Sequence, residues 1–330
     1  LARTVASAFR QFARDYVDLN PEDVSGARRS RDWLVKIIES FPSKYKGFPI
    51  IYKEESPVLM GSFARSTKIR TLDDVDLIIV FSAQGSTYTE SSDKIEVHVP
   101  ESAPQLRRLC DDGVLNSRRV LNLLKAFLSE VPQYDNSEIH RSQEAVTLHL
   151  SSYDWNFDIV PAFITKPRVD GRTYYVIPDG RGAWKFTDPR IDAKRATDTN
   201  QRHDGRVLGL IRLLKYWNRR CAVPAISSYL LENMAISFFE KKRVIGSVGE
   251  ALRDLFTFIS TAVYSPCPDP KGIQGNLNNL DDDVRDKVHS AAASASKQAT
   301  AALYAEAKGD HEIAIEAWKR IFGSEFPGYG

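Results

Sequence analysis

The 330 residues carry 45 basic and 43 acidic side chains, a formal charge of +2, with 42% hydrophobic and 27% charged residues. This near-balance excludes an extended nucleic-acid groove, which needs a large basic excess, and the composition excludes disorder over the whole length. The length fits two domains of roughly 150 residues or one lobed one. Cys110, Cys221 and Cys267 are too scattered for a disulfide framework or a CxxC metal pair, so a reducing cytoplasm is expected.

The chain begins at Leu1 rather than methionine, as expected of a trimmed start, and has no long apolar leader. Residues 1–20 place Val5, Phe9, Phe12 and Tyr16 at helical spacing, an amphipathic helix docked on a core. Residues 25–41 predict a second helix with Trp33, Leu34, Ile37 and Ile38 on one face. Strands are predicted at Pro49–Tyr52, Val58–Ser62 and Asp74–Phe81, the last apolar enough to be central. The polar stretch 82–101 reads as a surface loop with a short edge strand inside. A helix follows over about 102–130, then strands in 145–150, 155–163 and 173–178. Beyond residue 200 the pattern is helical: 204–220, 224–240, 248–262, 281–308 and 311–323, with a Pro/Gly/Asn-rich loop at 266–280. Asp281, Asp282 and Asp283 suit the positive end of the long helix, whose alanine stripe suits close helix packing. No apolar run approaches the ~20 residues a bilayer span needs. The plan is α/β (α+β), a mixed-sheet lobe with N-terminal helices over 1–200 and a helical lobe over 201–330.

The densest chemistry lies in MGSFARSTKIRTLDDVDLIIVF, residues 60–81. On a strand Asp74 and Asp76 project to one face. Two adjacent carboxylates on an apolar sheet repel unless a cation neutralises them, and hard oxygen ligands at this spacing suit Mg²⁺ with substrate phosphates. Gly61 lets backbone N–H groups approach an anion, and Ser62 adds a hydroxyl donor. A DxD pair alone is common and also serves glycosyltransferases, and Gly-Ser alone can be a plain turn. The third element is Asp158 in WNFDIVPAF, an aspartate on an apolar strand that Pro161 is expected to end. Asp154 reads as a solvated residue of an SSYD turn.

Gly-Ser, eleven residues, then Asp-Val-Asp before an apolar run resembles the polymerase-β-like nucleotidyltransferases. With LLKYWNRR, AISSYLLE and AWKRIFGSEFP the chain more narrowly resembles a bacterial cGAS/DncV-like nucleotidyltransferase. The resemblance implies a bilobed fold with the active site between lobes and synthesis of a cyclic di- or oligonucleotide messenger, with pyrophosphate released. It implies two Mg²⁺ ions (or Mn²⁺) on Asp74, Asp76 and Asp158, and Ser62 on the donor triphosphate beside Gly61. Lys215 and Ser228 would contact phosphates, and Tyr229 would stack on a base. The substrates expected are ATP with GTP, as for a cyclic GMP-AMP. A regulatory protein partner and a downstream effector in antiphage signalling are implied too, as is a contact of residues 267–276 with the acceptor base. The scattered Cys and His residues exclude the zinc insertion of the animal relative and so a requirement for duplex DNA. None of the histidines reads as catalytic; most read as surface or capping residues. Two other functions stay open, a linear nucleotidyltransferase that extends RNA and a binding module of the same fold. The three aspartates argue against the module, and the lack of a βαβ run before the motif argues against a glycosyltransferase.

Overall fold

A computed structural model describes residues 1–135, 137–150, 153–220 and 224–330, so Cys221 and the serines of the expected SSYD turn lie outside the described residues. In chain order the elements are α1 (Val5–Phe12), α2 (Pro21–Lys44), β1 (Val58–Leu59), α3 (Gly61–Ala64), β2 (Asp74–Val80), β3 (Thr87–Glu90) and β4 (Ile95–His98). Next come α4 (Pro104–Arg107), β5 (Cys110–Asp111), β6 (Val114–Leu115), α5 (Ser117–Ser129), β7 (Glu138–Ser142), β8 (Ala145–His149), β9 (Asn156–Ile164), β10 (Tyr175–Pro178) and β11 (Trp184–Thr187). The remainder is helical: α6 (Pro189–Arg202), α7 (Val207–Arg220), α8 (Ser228–Glu240), α9 (Val248–Ala262), α10 (Asp282–Ala307) and α11 (His311–Phe322). Among the described residues no helix is long and apolar enough to cross a membrane.

The chain forms two compact units, and they do not follow a cut at residue 200. One comprises residues 21–64 and 72–190; the other comprises 1–20, 65–71 and 191–330. In the first, the strands run β1-β2-β9-β10-β11-β4-β6-β5, with β8 also on β9 and β7 on β8. The central β2–β9 pair is parallel and its neighbours are antiparallel. One face of β2 and β9 is covered by aromatic residues, Phe48 packing on Phe41, Phe81 and Phe127, and Phe163 on Phe81 and Trp184.

The helical unit claims the N-terminus because Phe9 and Phe12 are buried against Trp318, Phe322 and Phe326, the closest ring pair being Phe9–Trp318 at 4.8 Å. Each such buried ring contributes about 1.5–3 kcal/mol. Tyr16, expected on the apolar face of α1, is largely exposed. A π turn over Ala13–Val17 shifts the helical phase and buries Val17 instead. In α10, Ala292, Ala295, Ala299 and Ala302 are buried where the helix packs on α9 and α11. Asp281 caps this helix by accepting from the Val284 N–H at 2.8 Å, as its charge predicts.

Several predicted elements differ. The helix over 102–130 is interrupted because Asp112 and Gly113, at φ 48° and 87°, turn β5 back on β6. α5 then starts after Asn116, whose side chain accepts from the N–H groups of Arg118 and Arg119. Pro49–Tyr52 makes only an isolated bridge from Ile51 to Phe81. Pro161 does not end β9. It falls between the stretch paired with β8 and the stretch paired with β10, where a missing N–H is tolerated. The helix expected from residue 224 starts at Ser228; just ahead of it Asn218 exchanges two hydrogen bonds with the backbone of Ile226, at 2.9 and 3.0 Å. The sequence reading missed β7, β11 and α6, and placed one strand where β3 and β4 form a hairpin.

Candidate active site

Alternation along β2 places Asp74 and Asp76 on one face with Ile78 and Val80. The parallel register sets Asp74 beside Asn156 and Asp76 beside Asp158. Further along the same face, Ile78, Val80, Val160 and Ala162 join Ala145, Tyr175 and Ile177 in a buried apolar cluster. The three carboxylates are thus half-buried at the N-terminal ends of adjacent strands, at the edge of a dry floor.

Neighbouring residues shape this edge. β8 sets Thr147 beside Asp158, and the Thr147 Oγ1 donates to Asp158 Oδ1 at 2.6 Å. His149 Nδ1 lies 2.5 Å from Asn156 Oδ1, orienting the residue opposite Asp74. Gly61 opens α3 at φ +75°, and a Cβ built there would stand 1.8 Å from Asp76 Oδ2. Both the backbone conformation and the space require glycine. Ser62 follows in the same short turn and is half-buried.

Among the described residues no three His, Cys, Asp or Glu side chains form a ready-made metal cage. The charged donors gathered on this face are the three carboxylates, with Thr147 and Asn156 beside them. That chemistry suits a hard cation with few protein ligands, its shell completed by water and substrate phosphates.

No protein-family model matches the chain. A protein of Bacillus cereus (strain VD146) named probable cyclic nucleotide synthase is 48% identical over 330 residues, covering 100% of this chain and 99% of that protein. The chain belongs to the cyclic nucleotide synthases, the bacterial cGAS/DncV-like nucleotidyltransferases. The cyclic AMP-AMP-AMP synthase of Escherichia coli (strain MS 115-1) is 24% identical over 356 residues, with 96% of each chain covered. Two solved structures have the same fold, each with TM-score 0.69 over 97% of this chain and 98% of the other. They are the E. coli MS115-1 CdnC:HORMA-deltaN complex at 20% identity and E. coli MS115-1 CdnC + ATP at 19%.

The synthase therefore makes cyclic oligonucleotides by nucleotidyl transfer, and its helical unit carries the remaining expected residues. Ser228 is exposed at the first position of α8. Tyr229 is half-buried. Its hydroxyl donates to both Asp192 oxygens at 3.0 and 3.1 Å and accepts from Lys271 Nζ, and burial pushes the phenol up to about 12. Lys271 also pairs with Asp269 at 2.9 Å, and Asp269 accepts from the N–H groups of Lys271, Ile273 and Gln274. This ties the 266–280 loop to α8.

Lys215, expected to meet a phosphate, is instead only 4% exposed. Its Nζ donates to Glu232 Oε2 at 2.5 Å, and to Thr67 O and Oγ1 at 3.1 and 3.2 Å. The Arg65 Nε reaches the other Glu232 oxygen at 2.6 Å, and Thr67 Oγ1 donates to Oε2 at 2.8 Å. Burial alone would raise the Glu232 carboxyl, but the two cations hold it down at about 2.

Sequence reasoning missed Thr147, Glu232 and Lys271. Their signals were present: a threonine inside the apolar run AVTLHL, a glutamate inside the apolar helix SYLLENMAISFF, and a lysine in a loop of prolines and glycines. Cys110 is half-buried and Cys267 buried, each with a thiol that burial raises. His203 is buried with Nε2 at 2.9 Å from the Phe239 carbonyl, a structural role. An apolar cavity of about 480 Å³ within the helical unit, beside Phe9, Leu208, Leu213 and Ile245, includes none of the expected site residues.

Proposed function

We propose that the chain condenses ATP into a cyclic oligoadenylate, with Mg²⁺ held by Asp74, Asp76 and Asp158. The observation that carries this reading is the convergence of the three carboxylates on one sheet face, with Gly61 packed against Asp76. Adenylate is favoured over the mixed ATP–GTP ring expected from the sequence because the E. coli relative is named a cyclic AMP-AMP-AMP synthase. A bound divalent cation, Mg²⁺ or Mn²⁺, supplies charge stabilisation on the triphosphate and lowers the pKa of the attacking hydroxyl.

The chain's own residues do the positioning. Thr147 fixes one oxygen of Asp158, and so the direction in which that carboxylate faces the acceptor hydroxyl. Gly61 allows the backbone before Ser62 to approach the donor triphosphate, and the Ser62 hydroxyl donates to it. Ser228 donates to a second phosphate from the start of α8, where the helix N-terminus favours an anion. Tyr229 offers its ring to a base. Each bond made joins a ribose hydroxyl oxygen to an α-phosphorus and releases pyrophosphate. The last such step closes the ring. A regulatory protein partner fits this reading, since the E. coli MS115-1 CdnC was solved in a HORMA complex. The product would act on a downstream effector in antiphage defence.

Incubation with each labelled triphosphate and with the four together, with Mg²⁺, followed by mass spectrometry tests the reading. The expected product is a phosphatase-resistant adenylate ring, lost on chelation and in Asp74→Asn or Asp76→Asn. An open-ended product would make the chain a linear nucleotidyltransferase, and guanylate in the ring would restore the ATP–GTP expectation. Full activity in Asp74→Asn/Asp76→Asn would sink the metal assignment.

A further inference from the structure

The connection between Gly61-Ser62 and Asp74-Asp76 does not stay with the sheet that carries both ends. Residues 65–71 group with the helical unit, and the bonds that hold them there are unusually buried. Glu232 is 1% exposed and Thr67 0%, and around them Arg65 and Lys215 complete a network of four side chains. Further bonds continue along the segment. Arg212 donates to the Ser66 carbonyl at 2.8 Å, the Arg70 N–H donates to the Val17 carbonyl at 2.9 Å, and the Arg70 guanidinium bonds the carbonyls of Arg14, Asp15 and Asp18.

We propose that Glu232 is a positioning residue for nucleotidyl transfer: through Arg65, Thr67 and Lys215 it fixes the segment that carries Ser62 to Asp74 and Asp76. This rests on the reading of those carboxylates given under Proposed function. Stability alone gives little reason to keep such a network, since apolar side chains of similar volume commonly replace a buried ion group without loss. Geometry gives one. Arg65 stands one turn after Ser62, and Thr71 precedes Asp74 by a short run of chain, so a shift of the anchor is passed to both ends of the motif. Lys215 then acts by donating to Thr67 and Glu232, and its ammonium stays in the network rather than on a phosphate.

Three variants test this, read as kcat and KM for ATP with Tm measured alongside. Lys215→Met leaves the Arg65–Glu232 pair intact and is expected to stay folded; Thr67→Val removes one hydroxyl; Glu232→Gln removes the negative charge and one of the two acceptor oxygens, leaving Arg65 and Lys215 without a counter-charge between them. The expected result for Lys215→Met and Glu232→Gln is a kcat lowered about 100-fold, the effect of a misplacement near 1 Å. KM should stay within about threefold, the signature of a loss confined to the chemical step. Thr67→Val is expected to lower kcat by about 10-fold and to add little to Lys215→Met, because the groups act as a unit. A raised KM in Lys215→Met with unchanged kcat in Glu232→Gln would overturn the proposal, placing Lys215 on the triphosphate itself. Lowered Tm in all three with wild-type kcat would overturn it too, leaving a structural role only. Should Glu232→Gln fail to fold, Lys215→Met and Thr67→Val decide the matter. Asp76→Asn separates the two readings. If it is inactive while the three variants keep wild-type kcat, only the positioning fails; if it is active, the carboxylate reading fails.

Discussion

On β2 and β9, charges of one sign are gathered at half-buried positions, where Asp74, Asp76 and Asp158 share the end of a face that is otherwise apolar. In the helical unit two groups of charges of both signs are buried together, Glu232 with Arg65 and Lys215, and Lys271 with Asp192 and Asp269. The first arrangement is one whose mutual repulsion a cation would relieve. The second is neutralised from within and holds backbone segments in place. A charged residue near a nucleotide site can therefore serve either the ligand or the scaffold. Burial and partners decide which, not residue type.

The comparison breaks most sharply at Gly61. Gly61→Ala must move the Asp76 carboxylate or the α3 backbone, since the Cβ would sit 1.8 Å from Oδ2 at a φ of +75°. Pyrophosphate release is expected to fall by at least about 100-fold, while circular dichroism and Tm stay near those of the wild type. Wild-type turnover in this variant would mean that the Gly61–Asp76 approach has no part in catalysis.

The helical half predicts a pH effect on stability rather than on chemistry. Glu232 has a folded pKa of about 2 against an ordinary 4.5, so its contribution is complete above 4.5 and is lost as pH falls toward 2. A shift of that size corresponds to on the order of 3 kcal/mol. Acid titration of urea midpoints should show this loss in the wild type, and a much shallower dependence below pH 4.5 in Glu232→Gln. Parallel curves for the two proteins would contradict the assignment.

Smaller effects sharpen each half. Thr147→Val removes the hydroxyl that orients Asp158 and keeps the side-chain volume; kcat is expected to fall about 10-fold with little change in KM. Tyr229→Phe keeps the ring but removes its bonds to Asp192 and Lys271. KM for ATP is expected to rise about two- to fivefold, against a larger rise for Tyr229→Ala if the ring meets the base. Equal KM values for the two Tyr229 variants would remove the ring from the nucleotide site.

The sheet half of the site was the more legible from the sequence. Strand alternation has a period of two, so Asp74 and Asp76 could be assigned to one face without coordinates, and Asp158 stood out as an acid in an apolar run. The glycine before Ser62 was legible as a close approach, but its neighbour, Asp76, was not. In the helical half, Lys215 and Tyr229 were legible as residues, but the partners that surround them were not. Lys215 lies on a helix with a basic face, and nothing local says that Glu232, on the next helix, and Thr67, far upstream, close over it.

The sequence by itself determined the family, the order of mixed and helical parts, and the shared strand face of Asp74 and Asp76, because each rests on local periodicity or on a motif within one stretch of chain. Tertiary structure alone decided that residues 1–20 and 65–71 belong with the helices. It also decided that Asp76 and Asp158 are register partners and that the Lys215 ammonium is closed into an ion network. Those are pairings between residues distant in the chain, and a buried charge is defined by what surrounds it. The nearly balanced 45 and 43 charges conceal this division, a cluster of one sign on the sheet and self-neutralised groups among the helices.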